Sequence, residues 1–284
     1  MKPIILICGP TASGKTKKAL ELAQNTNAEI ISADSGQIYK ELDIGTDKPT
    51  KEERNQVPHH LVDILNPNET FSAALFAEKA GQAIEEIRSH QKNVLIVGGT
   101  GLYIQALLEG LFQGPPRNEE LRQELEKKET PLLYEELLKV DPEGMRHKGN
   151  RQRIIRALEV FELTGEPISR LQKEQRKEKF PYPIQKIGLT LEREALYERI
   201  NQRVQKMFET GWVQEVEEII KKWGDSIPAL NLIGYREISE HLKGKRDLDK
   251  TVQLVQQKTR NYAKRQLTWF RGDKEINWIS TFTG

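Results

Sequence analysis

The sequence has one cysteine, Cys8. No disulfide can close within the chain, and no zinc site can be built from cysteines. A reducing compartment, the cytoplasm, is expected. Long apolar runs are missing as well. Nothing approaches the roughly 20 residues needed to cross a bilayer, so no membrane partner is expected. The opening "MKPIILICGP" carries too short an apolar run for a signal peptide and reads as a buried strand. No period of about 20–50 residues suggests a solenoid. An excess of one charge is also lacking: 44 Lys and Arg stand against 42 Asp and Glu, a net charge of +2. Balance does not exclude nucleic acid, because clustering of positive charge decides that question. What is present is charge in bulk, 30% against 37% hydrophobic, which suits a soluble protein with a wet surface. The 284 residues suffice for one large domain carrying a smaller one.

Pro3 to Cys8 is a short continuous apolar run, the pattern of a central parallel strand. A glycine loop follows, then "KTKKALELAQNT", whose Ala19, Leu20, Leu22 and Ala23 predict one apolar helical face. "AEIISADS" and "NVLIVGGTGLY" are further apolar runs that end in polar or glycine-rich turns. Between them lies a helical segment, with Ser72 expected in its first turn. Strand, loop, helix, strand, helix, strand is the order of an α/β sheet with crossover connections. After "GPP" at 114–116 the chain becomes highly charged and helix-patterned, without a strand-like run, up to about "FPYP". "IQKIGLTLE" then predicts a strand returning to the first domain, followed by two amphipathic helices divided near Gly211 and a basic, aromatic-rich helix in the tail. The expected fold is therefore α/β: a P-loop NTPase-like parallel sheet flanked by helices, with an inserted all-helical lobe. The core is expected at 1–115 and 185–284, the lobe at 116–184.

"GPTASGKT" spans Gly9, Pro10, Thr11, Ala12, Ser13, Gly14, Lys15 and Thr16. It has the G-x-x-x-x-G-K-T spacing of a phosphate-binding loop. Backbone N–H groups in such a loop, at the positive end of a helix, accept a diphosphate or a nucleotide. Lys15 adds a point charge, and the Thr16 hydroxyl is a candidate ligand for Mg²⁺. ATPases and GTPases add an acid at the end of a further strand to hold the metal. Here "NVLIVGG" ends in glycines, followed by Thr100. The acid at that edge of the sheet is Asp34, in "IISADSGQIY". Strand C-termini share one edge in a parallel sheet, so Asp34, Thr100 and the loop should converge. One carboxylate, one hydroxyl and a diphosphate cradle suit displacement of pyrophosphate at least as well as transfer of a phosphoryl group. The plainer alternatives are that Asp34 caps a helix and that Thr100 serves a turn or cap, the first the lesser reading of Asp34 and the second as good as the functional reading of Thr100.

"GPTASGKT", "ISADSGQIYKELDIGTDKP", "PHHLVDI", "VGGTGLYIQALLEGL", "RIIRALEVFELTG", "IGYREI" and "TRNYAKRQLTWFR" occur in this order over nearly the whole chain. Together they resemble the bacterial tRNA dimethylallyltransferase (tRNA isopentenyltransferase) family. The resemblance implies transfer of a dimethylallyl group from dimethylallyl diphosphate to the N6 amine of the adenosine 3′ of the anticodon, in tRNAs reading codons that begin with U. Pyrophosphate leaves and Mg²⁺ assists. It implies catalytic roles for Asp34, Thr100 and Arg203, with Arg199 the second choice of arginine. It implies tRNA contacts at Asp34, Ser35, Gly36, Gln37, Thr100, Arg122, Gln152, Arg153, Ile154, Ile155 and Arg156. The chain is expected to act as a monomer on the anticodon stem-loop. "MRHKGNRQRIIRALE" is locally basic inside a balanced chain, which suits phosphate contacts. "LIGYRE" and the tail's Arg260, Tyr262, Lys264 and Arg265 are further candidates, Arg260 and Lys264 sharing a helix face.

Other features read plainly. Adjacent His59 and His60 point opposite ways in an extended segment and suit packing or turns. Cys8 suits a small buried apolar position. Trp212, Trp223, Trp269 and Trp278 suit core or interlobe packing, with stacking of Trp269 and Phe270 on a base the lesser alternative. The cysteines of the C-terminal zinc finger that some family members carry are absent. The rival readings are dimethylallyl transfer to free AMP, ADP or ATP, a small-molecule P-loop kinase, and a non-catalytic RNA-binding protein. The basic lobe, which a free nucleotide does not need, separates the first of these from action on tRNA.

Overall fold

The computed structural model describes residues 2–112, 114–143, 148–174 and 180–281. It divides into two compact units, Met1–Leu108 with Phe180–Gly284, and Glu109–Lys179. Both boundaries fall earlier in the chain than 115 and 185. Composition changes at the Gly-Pro-Pro, but the helix after the third long strand already ends at Glu109. On the return, Phe180 and Tyr182 pack on the core of the first unit before the next strand begins.

The first unit is built on strands β1 (Ile4–Cys8), β2 (Ala28–Ala33), β3 (His59–His60), β4 (Asn93–Gly98), β5 (Ile184–Thr190) and β6 (Asn277–Ser280). They form one sheet in the order β3-β2-β4-β1-β5-β6, and every neighbouring pair is parallel. Its helices are α1 (Lys15–Thr26), α2 (Lys51–Gln56), α3 (Ala73–Ser89) and α4 (Gly101–Glu109), then α9 (Arg193–Glu209), α10 (Trp212–Trp223), α11 (Tyr235–Leu242) and α12 (Leu248–Arg271). The central strands β1, β2 and β4 are buried almost throughout because both faces are covered. Ile7, Leu95, Val97 and Leu189 meet Ala19 and Ala23 of α1 on one face. Ile4, Leu6, Cys8 and Ile96 meet Phe76, Ile84 and Ile87 of α3 and Phe270 of α12 on the other. A third cluster joins α9 to α12 around Trp212, Tyr235 and Leu230, with Ile38 and Leu42 from the segment after β2.

Ser72 is the N-cap of α3 rather than a residue of its first turn. Its backbone is extended and its hydroxyl accepts the Leu75 N–H at 3.1 Å. Trp212 is buried, Trp223 and Trp278 partly so, and Trp269 is 40% exposed. The edge strand β3 uses its histidines in two ways. His60 Nε2 pairs with Glu29 Oε2 at 2.6 Å, and His59 Nδ1 lies 2.7 Å from the Val57 carbonyl.

The second unit holds α5 (Glu119–Lys127), α6 (Thr130–Val140), α7 (Arg151–Thr164) and α8 (Ile168–Glu174). They enclose their own core of Leu125, Leu133, Leu137, Ile154, Ile155, Leu158, Val160 and Ile168. Met145, Arg146 and His147, part of the basic stretch, lie outside the described residues. Among the described residues no helix is long and apolar enough to cross a membrane.

Candidate active site

Strand register sets the site. Cys8 pairs with Gly98, and Gly98 pairs with Ala33. The three strands β1, β4 and β2 therefore end level, and their next residues are Gly9, Gly99 and Asp34. Sheet order makes these three turns neighbours. Gly9 has φ +142°, and a Cβ there would lie 2.3 Å from the Leu189 carbonyl oxygen. Only glycine lets the chain turn so close to β5. The loop then enters α1 at Lys15. Among the described residues, the N–H groups of Gly14, Lys15 and Thr16 have no carbonyl partner, as the first turn of a helix dictates, and neither does that of Ala12 in the loop before it. These are the donors of an anion cradle.

Lys15 Nζ donates to the Pro10 carbonyl at 2.7 Å. Burial pushes its pKa down to about 8; the nearby Asp34 opposes that shift, and Arg203 adds to it. One Asp34 oxygen, Oδ1, accepts the Gly36 N–H at 2.8 Å and the Gln37 N–H at 3.4 Å. This Asx turn fixes the carboxylate at the end of β2 and leaves Oδ2 for other work. Thr100 N–H donates to the Ala33 carbonyl at 3.2 Å, and its hydroxyl accepts the Ser35 N–H at 3.2 Å. Thr100 is thus stitched to Asp34's own turn from both backbone and side chain. Lys15, Thr16, Asp34 and Gln37 line one small cavity together with Ser32, His59 and Gly98.

Of the two candidate arginines, Arg203 reaches the loop. Its guanidinium donates to the Thr11 hydroxyl and to Asp47 Oδ2, the latter at 2.9 Å. Its Nε–H is buried and has no partner among the described residues. Arg199, one turn earlier, lines the same cleft beside Asp43 and Asp47 without touching the loop.

In the helical unit Ile154 and Ile155 are fully buried in its core. Period decides this: at adjacent positions of α7 both fall on the wide apolar stripe that faces α5 and α6. Arg122 and Arg156 both serve Glu159, which has no exposed surface. Arg122 donates to it twice at 2.9 Å, Arg156 donates at 2.6 Å, and the Asn118 N–H at 2.8 Å. Burial alone would raise the Glu159 pKa, but these bonds outweigh it and bring it down to about 2. Gln152 and Arg153 are exposed on α7.

Several residues that sequence reasoning passed over shape the site. Asp47 holds Arg203. Glu215 of α10 accepts the N–H groups of Asp43, Ile44 and Gly45 and the Tyr235 hydroxyl, which anchors the segment that carries Asp47. Lys48, almost fully buried, bonds Asp43, Asp63 and the Tyr39 carbonyl. Gln266 of α12 accepts the Thr11 N–H at 2.8 Å. Its signal was available: a glutamine in the buried stripe Val255, Thr259, Ala263, Gln266, Phe270.

Sheet, loop and flanking helices define a P-loop NTPase-like α/β protein with a phosphate cradle at the strand ends. The family described as IPP transferase matches residues 37–273, and the chain belongs to that family. It is 48% identical over 283 residues to tRNA dimethylallyltransferase 2 of Geotalea uraniireducens (strain Rf4), covering 97% of this chain and 91% of that protein. Among solved structures, the tRNA isopentenylpyrophosphate transferase of Bacillus halodurans superposes with a TM-score of 0.74 at 39% identity, over 99% of this chain and 90% of that one. A eukaryotic dimethylallyltransferase acting on tRNA gives a TM-score of 0.82 at 28% identity, over 99% and 74%.

Proposed function

We propose that this chain is a tRNA dimethylallyltransferase. It transfers the dimethylallyl group of dimethylallyl diphosphate to the N6 amine of the adenosine 3′ of the anticodon, in tRNAs reading U-starting codons, and releases pyrophosphate. The observation that carries this reading is the level ending of β1, β2 and β4, which gathers the phosphate loop, Asp34 and Thr100 at one edge. Family membership gives the reaction class.

The steps follow from the chain's own groups. The loop N–H groups, Lys15 and the Arg203 guanidinium, whose Nε–H has no partner among the described residues, bind the diphosphate. The amine of adenine is a weak nucleophile, its lone pair delocalised into the ring. Asp34 Oδ2 accepts the amine proton as nitrogen attacks the allylic carbon. The C–O bond breaks, and both its electrons go to the bridging oxygen. The Thr100 hydroxyl donates a hydrogen bond to that oxygen as charge grows there. Atoms balance: one C–N bond is made, one C–O bond is broken, and one proton moves to the carboxylate.

The residues fit Mg²⁺ held largely by the diphosphate. Thr16 offers one hydroxyl at the helix start, and among the described residues no group of three or more His, Cys, Asp or Glu would hold a metal alone. Bound there, the ion would neutralise charge on the departing pyrophosphate. In the lobe, Gln152 and Arg153 would meet the anticodon stem, with Arg122 and Arg156 contributing what charge Glu159 leaves them. The target base must leave its stack to reach a half-buried carboxylate. The chain would work as a cytoplasmic monomer, which sedimentation of the protein would test. The reaction is tested with unmodified tRNA, dimethylallyl diphosphate and Mg²⁺, free AMP replacing tRNA in a parallel tube. Product on tRNA and none on AMP is expected; product on AMP alone would replace this reading with adenylate prenylation.

A further inference from the structure

Helix α12 passes both glycine turns of the site. Its buried stripe is made of small or apolar residues except for Gln266, which is 5% exposed. A buried amide costs stability unless all its polar atoms are used. This one is used across the fold. Oε1 accepts the Thr11 N–H at 2.8 Å, and Nε2 donates to the Gly99 carbonyl at 2.9 Å. The partners fix the amide's orientation, because an N–H needs the oxygen and a carbonyl needs the nitrogen. Gly99 is shaped to the contact: a Cβ there would lie 2.1 Å from Nε2.

Thr11 is consequently held twice, at its backbone by Gln266 and at its hydroxyl by Arg203. Gly99 is followed directly by Thr100. One turn before Gln266, the Tyr262 hydroxyl lies within hydrogen-bonding reach of the Thr100 and Gln266 side chains. A single side chain therefore bridges the loop that would carry the diphosphate and the turn that would carry its leaving-oxygen donor.

We propose that Gln266 is a positioning residue for the transfer step, tying the phosphate loop to the Gly99–Thr100 turn so that a bound diphosphate presents its bridging oxygen to the Thr100 hydroxyl. The proposal rests on the reading of the site as a dimethylallyl transferase. Gln266 touches neither substrate; it sets the spacing between two groups that do. Misplacing such groups by about 1 Å costs on the order of 10²-fold in rate.

Two variants test it. Gln266→Met fills the space and makes neither bond. Its kcat should fall by about 10²-fold, while Kd for inorganic pyrophosphate, measured by calorimetry, changes far less. Gln266→Glu gives a sharper readout. As a carboxylate it faces the Gly99 carbonyl with an oxygen and should be impaired; once protonated it again donates and accepts. The ratio of its kcat to that of the parent protein should rise as pH falls, whereas the same ratio for Gln266→Met stays flat. A Gln266→Met protein with the parent's kcat, or a Gln266→Glu ratio independent of pH, overturns the proposal. If the parent protein itself prenylates nothing, the functional reading has failed instead, and the control distinguishes the two. Should Gln266→Met fail to fold, the pH ratio of Gln266→Glu decides alone.

Discussion

Replacing Asp34 with asparagine separates its two roles. In the structure Oδ1 accepts the Gly36 and Gln37 N–H groups, at 2.8 and 3.4 Å, and so holds the turn. An asparagine carbonyl keeps both bonds. The fold should therefore be nearly unaffected, with unfolding free energy within about 0.5 kcal/mol of the parent. What is lost is the proton acceptor. General-base catalysis is worth about 10²–10⁴-fold, or roughly 3–5 kcal/mol of barrier. Alanine removes the turn bonds too and should add about 1 kcal/mol of destabilisation. Asp34 also supports the charge of Lys15 by holding its pKa up. The assay belongs at about pH 7, below the value of about 8 to which burial brings Lys15 in the parent protein. Single-turnover reactions at saturating dimethylallyl diphosphate, with nucleosides quantified by mass, read the chemical step directly. The expected result is a drop of about 10² or more, with tRNA affinity within a few-fold. A single-turnover rate close to the parent's would remove Asp34 from the chemistry.

Three further outcomes are expected. Burial brings the Lys15 pKa down to about 8, so its charge is lost as pH rises through that value; KM for dimethylallyl diphosphate should climb there, and Lys15→Arg should flatten the climb. Glu159 has its pKa lowered to about 2, so the helical unit's stabilisation is complete above the ordinary glutamate range and fades as pH falls toward 2; Arg122→Ala should cost about 3 kcal/mol by urea unfolding at neutral pH, and a cost near zero would contradict the buried network. Arg153→Ala, on the exposed face of α7, should weaken tRNA binding and reduce the slope of log K against log salt by about 1; an unchanged slope would mean that this arginine meets no phosphate.

The parts legible from sequence are those fixed by local pattern. Strands buried on both faces write themselves as apolar runs, so β1, β2, β4 and β5 could be read directly. Parallel pairing then implied that Asp34, Thr100 and the glycine loop share an edge, and the register makes them level. The parts that were not legible depend on residues distant in sequence. Gln266 and Thr11 are 255 positions apart, and Glu215 meets Ile44 across 171. Nothing in "VQEVEEIIKK" distinguishes Glu215 from its neighbours until α10 is packed against the segment it anchors. Arg122 and Arg156, expected at tRNA, also neutralise a buried carboxylate. Ile154 and Ile155 stood inside a basic motif, yet helical period sends both inward. Short elements such as α2, begun by the Thr50 capping box, carry too few apolar residues to announce themselves.

The central claim is that the cradle at the ends of β1, β2 and β4 holds an allylic diphosphate whose carbon is passed to an adenine nitrogen. Mass analysis of nucleosides from unmodified tRNA, incubated with the protein, dimethylallyl diphosphate and Mg²⁺, tests it most directly. One adenosine per reactive tRNA should become heavier by a dimethylallyl group, with one pyrophosphate released for each. Unaltered adenosine in the presence of folded protein that instead consumes ATP would contradict it.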